Sequence, residues 1–331
     1  MRPILLTGAA GFVGHYMIPR LRKAFPDRSL VTVVRDPPAL PGGQAVDLTD
    51  RERTDQLIRT VKPQIVVHLA AYSSVAKARE KPNAVWRDNR DGTYCVARAI
   101  NDHVPDATVL FASTGDVYGK NFNAGPASEE TMAAPNGPYA NSKRASEMVL
   151  RQFLPDTARL IVARPFNHTG PGQAETFVVA SFANQLVRIK AGLQPPKVTV
   201  GNLAAERDFL DVRDVADCYV RLLLAAEALP HRMVVNVARG TAISIAEILE
   251  RLRRIVDVDV EIEVDQKRLR PNEIPVATAS THKLAQFMEW PPQRDFDETL
   301  RDIVADKTEA LQQTADAEAA ETQALASGGR P

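Results

Sequence analysis

Cysteine is nearly absent from this chain: 331 residues carry two, Cys95 and Cys218, each inside a helix-like stretch. Two scattered cysteines make no disulfide framework, and both read as packed thiols. Net charge is missing as well, with 41 Lys plus Arg against 41 Asp plus Glu. That balance argues against nucleic acid as the main partner, where a basic surplus is expected. Any anionic ligand must be held by local arginines rather than by a global field. No apolar run approaches the ~18 residues of a membrane helix, so no membrane partner is expected. The six histidines lack the paired spacing of a metal site, and no metal is expected. The start, MRPILLTGAAGFVG, has the hydrophobicity of a signal peptide but no cleavage-like segment, and its glycines fall where a strand-to-helix turn requires them. A cytoplasmic protein is the expectation.

What the chain does have is ordinary globular composition, 44% apolar and 25% charged, and a clear rhythm. Short apolar runs at Ile4–Leu6, Leu30–Val34, Gln64–Ala71, Thr108–Ser113 and Arg159–Pro165 read as buried strands. Amphipathic segments at Phe12–Ala24, Arg51–Val61 and Val85–Ile100, and one from Tyr139 to about Phe153, separate them. Near-continuous apolar strands alternating with helices imply a parallel sheet covered on both faces. The fold class is therefore α/β, a Rossmann-type doubly wound parallel sheet with a smaller mixed C-terminal lobe. Residues 1–165 are assigned to the dinucleotide-binding part, with later segments returning to it, and 166–309 to a substrate lobe. In that lobe Lys197–Gly201, Met233–Ala238 and Val258–Val264 read as strands, Val212–Ala226 and Ile243–Val256 as helices. Residues 310–331, Ala-rich from Thr314 and nearly without large apolar side chains, are expected to be a disordered tail.

Gly8, Gly11 and Gly14 have the spacing G-x-x-G-x-x-G between a strand and a helix. Glycine permits the tight turn, backbone approach to a phosphate, and close helix-on-strand packing; the helix N-terminus then faces a pyrophosphate. The second strand ends in Val34-Arg35-Asp36. An acidic side chain there bonds the ribose hydroxyls of NAD, and an arginine accepts the extra phosphate of NADP. Arg35 comes first, so NADP(H) is expected ahead of NAD(H); Asp36 either caps the turn or reverses that preference. Asp47 and Leu48 are placed for the adenine edge, with Asp47 as a plain helix cap the rival reading. Leu69, Ala70 and Ala71 form a small-residue strand end past which a cofactor can run. The cofactor set is completed by Phe12 and Val13 on the glycine turn, by Tyr139 and Lys143, and by His168, placed to touch the nicotinamide.

Tyr139 and Lys143 lie four residues apart in PYANSK and so share a helix face. A phenol titrates near pKa ~10, and a nearby ammonium favours phenolate and lowers that value. Upstream, ASTGDVYG follows a strand and puts Thr114 at the strand's carboxyl end, where ligands bind in open sheets. Thr114, Tyr139 and Lys143 are the candidate catalytic residues. Gly115 and Asp116 follow as substrate contacts, Asp116 being either an acid or base or a residue that fixes the loop. His68, within an apolar strand, reads as a satisfied core residue.

TGAAGFVG, HLAA, NRDGT, STGDVYG and YANSK together resemble the extended short-chain dehydrogenase/reductase family over roughly residues 2–305. RPFNHTGPGQ, VGNLAAERDFLDVRDV and RLRPNEIP resemble, more finely, its members in GDP-6-deoxy-hexose synthesis. The resemblance implies NAD(P)H-dependent reduction of the C4 keto group of a GDP-4-keto-6-deoxy sugar. It implies Asn167, Arg207, Arg270 and Glu273 as further contacts to the nucleotide sugar. Pairing of Arg207 with Asp208 or Asp211, and of Arg270 with Glu273, is the structural alternative. It also implies a homodimer built on the helices around Val85–Ile100 and Ala140–Phe153. The family's dehydratases typically have Ser-Glu where this chain has Gly115-Asp116, which counts against dehydration. A dehydratase or epimerase on a related nucleotide sugar stays open as the rival. A non-catalytic dinucleotide-binding subunit is disfavoured because the tyrosine and lysine are both present.

Overall fold

A computed structural model describes residues 1–35, 40–73, 80–269, 274–290 and 292–327, with 318–327 described by backbone alone. The strands in chain order are β1 (Ile4–Thr7), β2 (Leu30–Val34), β3 (Gln44–Ala45), β4 (Ile65–His68), β5 (Thr108–Ala112), β6 (Arg159–Pro165), β7 (Asn167–Thr169), β8 (Lys197–Val200), β9 (Glu206–Asp211), β10 (Arg232–Val237), β11 (Ala242–Ser244), β12 (Glu261–Val264) and β13 (Val276–Ala277). The chain separates into two units. The first holds Met1–His168, Glu206–Ala242 and Ile274–Gln293; the second holds Thr169–Ala205, Ile243–Glu273 and Arg294–Pro331.

The first unit is built on a seven-stranded sheet in the order β10-β6-β5-β4-β1-β2-β3, with parallel pairing throughout. The doubly wound α/β fold expected from the strand rhythm is what the chain adopts. Side chains alternate across a strand, and β1 shows the consequence. Ile4 and Leu6 join a cluster with Met17, Leu21, Tyr219 and Leu222. Leu5 joins another with Leu57, Ile58, Ile100 and Leu150. The first cluster draws on the helices Phe12–Ala24 and Val212–Leu224, the second on Arg51–Val61, Gly92–His103 and Pro138–Phe153. Each fully buried leucine adds about 1.5–3 kcal/mol, so both faces must be covered, as they are.

The strand order reverses between β1 and β4: the chain winds outward to β3 on one side, then through β5, β6 and β10 on the other. Ligands of open α/β sheets bind outside the carboxyl ends at such a switch point. Gly8 follows β1 there, and Leu69–Ala71 follow β4. A smaller sheet in this unit pairs β9 with β13 and β7.

The second unit packs the helices Val178–Lys190, Ile245–Val256 and Phe296–Ser327 on one another, beside a parallel β8–β12 pair. The tail expected over residues 310–331 is corrected here, since helix continues to Ser327. Ala, Glu and Gln are strong helix formers, so the backbone can coil without burying apolar surface. The helix expected over Val85–Ile100 is also different in detail. A π-helical turn, Arg87–Asp91, joins Pro82–Trp86 to Gly92–His103. Among the described residues, no helix is long and apolar enough to cross a membrane.

Candidate active site

The glycine turn is held by contacts that tolerate no side chain. Gly8 has φ +70, and a Cβ there would lie 2.6 Å from the Ala70 backbone nitrogen. A Cβ at Gly14 would lie 2.4 Å from the Gly8 carbonyl oxygen. The tips of β1 and β4 are thus drawn together, and the helix behind them sits close. That helix, starting at Phe12 and Val13, has Gly11 as its cap residue, with no capping side chain and no acidic residue in its first turn. Its leading N–H groups and positive dipole end are left for an anion. A cleft of about 250 Å³ opens here. Gly8, Gly11, Leu48, Ala70, Ala71 and Arg35 are among the residues lining it. The glycine cradle, the open helix end and the apolar walls fit a dinucleotide.

Arg35 donates from Nη1 to Asp88 Oδ2 at 2.8 Å. Asp88, on the π-helical turn, was not singled out from the sequence, and it also lines the cleft. Asp47 is not the cap of the helix that follows, since Asp50 accepts from Arg53 N in that role. Asp47 Oδ1 instead accepts from the Thr49 N–H at 3.0 Å and hydroxyl at 2.8 Å, while Leu48 faces the cleft. Asp36 lies outside the described residues.

Thr114 ends the loop from β5 and is buried. Its Oγ1 accepts from the Asp116 N–H at 3.2 Å, and its side chain acts on the Tyr139 phenol, favouring ionisation. Tyr139 and Lys143 lie on the helix Pro138–Phe153, Tyr139 half-buried and Lys143 2% exposed. Burial pushes the Tyr139 phenol up, the Asp116 carboxylate adds to this, and the Thr114 side chain opposes it. The expected acidification by Lys143 is therefore not what the geometry gives. Lys143 Nζ lies over the Phe111 ring, 4.2 Å from its centroid, and burial pulls its pKa down to about 7 while Glu147 opposes the fall. Its charge acts instead on His68.

His68 is a satisfied core residue. Nδ1 lies 2.7 Å from Thr7 Oγ1 and Nε2 3.1 Å from Thr93 Oγ1, and burial together with Lys143 lowers its pKa to about 3. Cys95 and Cys218 are free and buried.

Glu147, one turn beyond Lys143, is completely buried. It accepts from Ser113 Oγ at 2.5 Å, Arg144 Nη1 at 2.8 Å, and Arg164 Nε and Nη2 at 2.9 and 2.7 Å. This cluster ties the Tyr139–Lys143 helix to the residue just before Thr114. Asn89 acts similarly, donating to Ser142 Oγ at 2.9 Å and accepting from the Tyr72 N–H at 2.6 Å.

Of the other expected contacts, Gly115 is buried with Phe166 so close that a Cβ would lie 2.8 Å from its ring. Asp116 is exposed beside the phenol it influences, and Asn167 is exposed on β7. His168 stacks on Phe12, with centroids 6.2 Å apart and planes 2° apart, and burial lowers its pKa against a bond to the Phe166 carbonyl. Arg207 donates to the carbonyls of Glu206 and Pro275 at 2.7 and 3.3 Å. Asp208 accepts from the N–H groups of Arg239 and Gly240, and Asp211 from Arg213. Arg270 and Glu273 lie outside the described residues.

Residues 4–238 match the NAD dependent epimerase/dehydratase family. A GDP-6-deoxy-D-mannose reductase of Pseudomonas aeruginosa is 36% identical over 305 residues, 92% of this chain and 96% of the relative. A GDP-mannose 4,6 dehydratase of Arabidopsis thaliana is 29% identical over 80% of this chain and 70% of its own length. The solved structure of RMD from Pseudomonas aeruginosa complexed with NADPH superposes with a TM-score of 0.82 at 34% identity, covering 94% of this chain and 100% of that one. The chain belongs to the NAD dependent epimerase/dehydratase family, whose members are NAD(P)-dependent enzymes.

Proposed function

We propose that this chain reduces the C4 keto group of GDP-4-keto-6-deoxy-D-mannose to give GDP-D-rhamnose, with NADPH as reductant. The carrying observation is the meeting, at the carboxyl tip of β5, of Thr114 with the Tyr139 phenol whose ionisation it favours, with Lys143 one helical turn on. The likeness to the Pseudomonas aeruginosa reductase supports the substrate, and Arg35 at the tip of β2 supports NADPH.

When bound, the reduced nicotinamide supplies the hydride. Tyr139 supplies the proton: a half-buried phenol, protonated at neutrality, gives it to the alkoxide forming at C4. Thr114 holds the same oxygen by its hydroxyl and fixes the phenol's direction. Lys143 anchors the cofactor ribose, and Gly115 lets the loop after Thr114 pack directly on the Phe166 ring. Asp116, Asn167 and Arg207, with Arg270 and Glu273, contact the nucleotide sugar. Residues 1–165, with later segments returning to them, carry most of the cofactor contacts, and 166–309 supply the remaining contacts to the nucleotide sugar. A cytoplasmic homodimer completes the reading, and Met148, exposed on the helix Pro138–Phe153, is an apolar side chain that such pairing would cover.

A coupled assay tests this. GDP-mannose is converted to the keto-sugar by a known dehydratase, and this protein and NADPH are added. Oxidation of NADPH with formation of GDP-D-rhamnose is expected. Conversion of GDP-mannose by this protein alone would replace the reading with dehydration, and no conversion of either sugar would leave only a dinucleotide-binding role. Tyr139→Phe is expected to keep NADPH binding and lose about 10²–10⁴ in turnover; full turnover would remove Tyr139 from the mechanism.

A further inference from the structure

We propose that Arg87 is a second cation for the 2′-phosphate of a dinucleotide phosphate, set beside Arg35 by the buried carboxylate of Asp88. This rests on the reading of the cleft as a cofactor site and deepens it.

The π-helical turn Arg87–Asp91 creates the arrangement. It turns Asp88 and Asn89 inward and leaves Arg87 and Arg90 exposed. Asp88 Oδ2 accepts from Arg35 Nη1 at 2.8 Å, and Oδ1 accepts from Arg87 Nε at 3.1 Å. Each oxygen of one carboxylate therefore binds a different guanidinium, which places the two cations side by side. Asp88's side chain is only 3% exposed, whereas those of Arg35 and Arg87 are 47% and 59% exposed. The negative charge is thus tucked beneath two accessible positive ones.

Asp88, which binds both guanidiniums, lines the cleft together with Arg35. Burial pushes the Asp47 carboxyl up, but hydrogen bonds from Thr49 and the charges of Arg35 and Arg87 outweigh it and hold it low. Leu48 and Thr49, next to Asp47, line the cleft along with Arg35 and Asp88. The glycine turn lies across the same cleft. A phosphate monoester carries about −1.5 to −2 at neutral pH and is suited to forked guanidinium bonds. Asp88 takes Arg87 by Nε, so the two terminal nitrogens are not the ones it uses. Holding both side chains in place beforehand lowers the ordering cost of binding. If Arg87 served only to pin Asp88, which Arg35 also holds, its loss would not distinguish one dinucleotide from another.

The test is titration of NADPH and of NADH into the native protein and into Arg87→Met, followed by nicotinamide fluorescence. NADPH affinity is expected to fall about tenfold to a hundredfold, the loss of charge-assisted hydrogen bonds to phosphate. NADH affinity is expected to stay within about twofold, since NADH carries no 2′-phosphate and Asp88 keeps its bond from Arg35, which also controls for misfolding. The salt dependence of NADPH binding should weaken in the variant. Unchanged NADPH affinity, or equal losses for both dinucleotides, overturns the assignment of Arg87 and leaves the proposed function intact. A native protein that binds neither dinucleotide overturns both, and the native titration alone tells the two failures apart.

Discussion

Replacing Lys143 with methionine should stabilise the free protein while destroying its turnover. Lys143 is 2% exposed, and burial lowers its pKa from 10.5 to about 7. Below pH 7 both the folded and the unfolded chain hold the proton, and the folded state bears the full penalty of a buried ammonium. Each tenfold change in proton affinity is worth about 1.4 kcal/mol, so that penalty has a ceiling of roughly 5 kcal/mol. Between about pH 7 and 10.5 the unfolded chain binds more protons than the folded one, and native stability rises with pH. Above that window both states are neutral and the penalty is gone. Methionine fills a similar volume without a titrating group, but it forfeits the ammonium's contact with the Phe111 ring, about 1–2 kcal/mol for a desolvated pair. The expected net gain at neutral pH is therefore about 2–4 kcal/mol. Urea unfolding of the cofactor-free native and variant proteins, from neutral pH to about pH 10, measures it. A variant no more stable than native at neutrality, or a gap that fails to narrow as pH rises, would refute the reasoning. Turnover should meanwhile fall by about 10² or more.

Gly8→Ala should cost about 2–5 kcal/mol, from a left-handed backbone and from overpacking against the β4 tip, where the new Cβ would meet Ala70 N at 2.6 Å. The urea midpoint and an NADPH titration read it, and an unchanged midpoint contradicts the cradle. Glu147→Gln leaves Arg164 without its buried counter-charge and should cost about 3–5 kcal/mol at neutrality. Burial raises the Glu147 pKa, but bonds to Arg164, Ser113 and Arg144 outweigh this and hold it below 4.5. Its contribution is thus present above about pH 4.5 and lost as pH falls through the lower folded value. Native and variant stabilities should converge in acid, and a gap constant with pH would contradict the linkage.

The parts of the site that depend on local geometry were legible in the sequence. Tyr139 and Lys143 share a face because a helix repeats every 3.6 residues, and the glycine turn is legible because only glycine accepts the contacts at Gly8 and Gly14. What escaped depended on distant partners. Arg35 and Asp88 are 53 residues apart, and the π-helical turn that buries Asp88 leaves no apolar period to read. Glu147 and Arg164 are 17 residues apart, so nothing local in the sequence marks their pair or the complete burial of the carboxylate. Strand β9 was hidden because Glu206, Arg207, Asp208 and Asp211 interrupt its apolar alternation. The C-terminal run was judged by how little it could bury, whereas helix propensity decides its backbone.

The state of the phenol also bears on the direction of the chemistry. A reaction that starts by oxidising a sugar hydroxyl needs Tyr139 as phenolate, to take the hydroxyl's proton. Burial and the Asp116 carboxylate both disfavour that form, and each tenfold rise in proton affinity adds about 1.4 kcal/mol to the cost of reaching it at neutral pH. A reaction that starts by reducing a ketone needs the phenol protonated, which is the form these surroundings favour. Lys143 does not offset them, because its ammonium sits over Phe111 and is itself close to losing its proton at neutrality. The same residue triad could serve oxidation or reduction; burial and Asp116 hold the phenol in the protonated form from which a reduction starts, and the same rise makes that phenol a weaker acid.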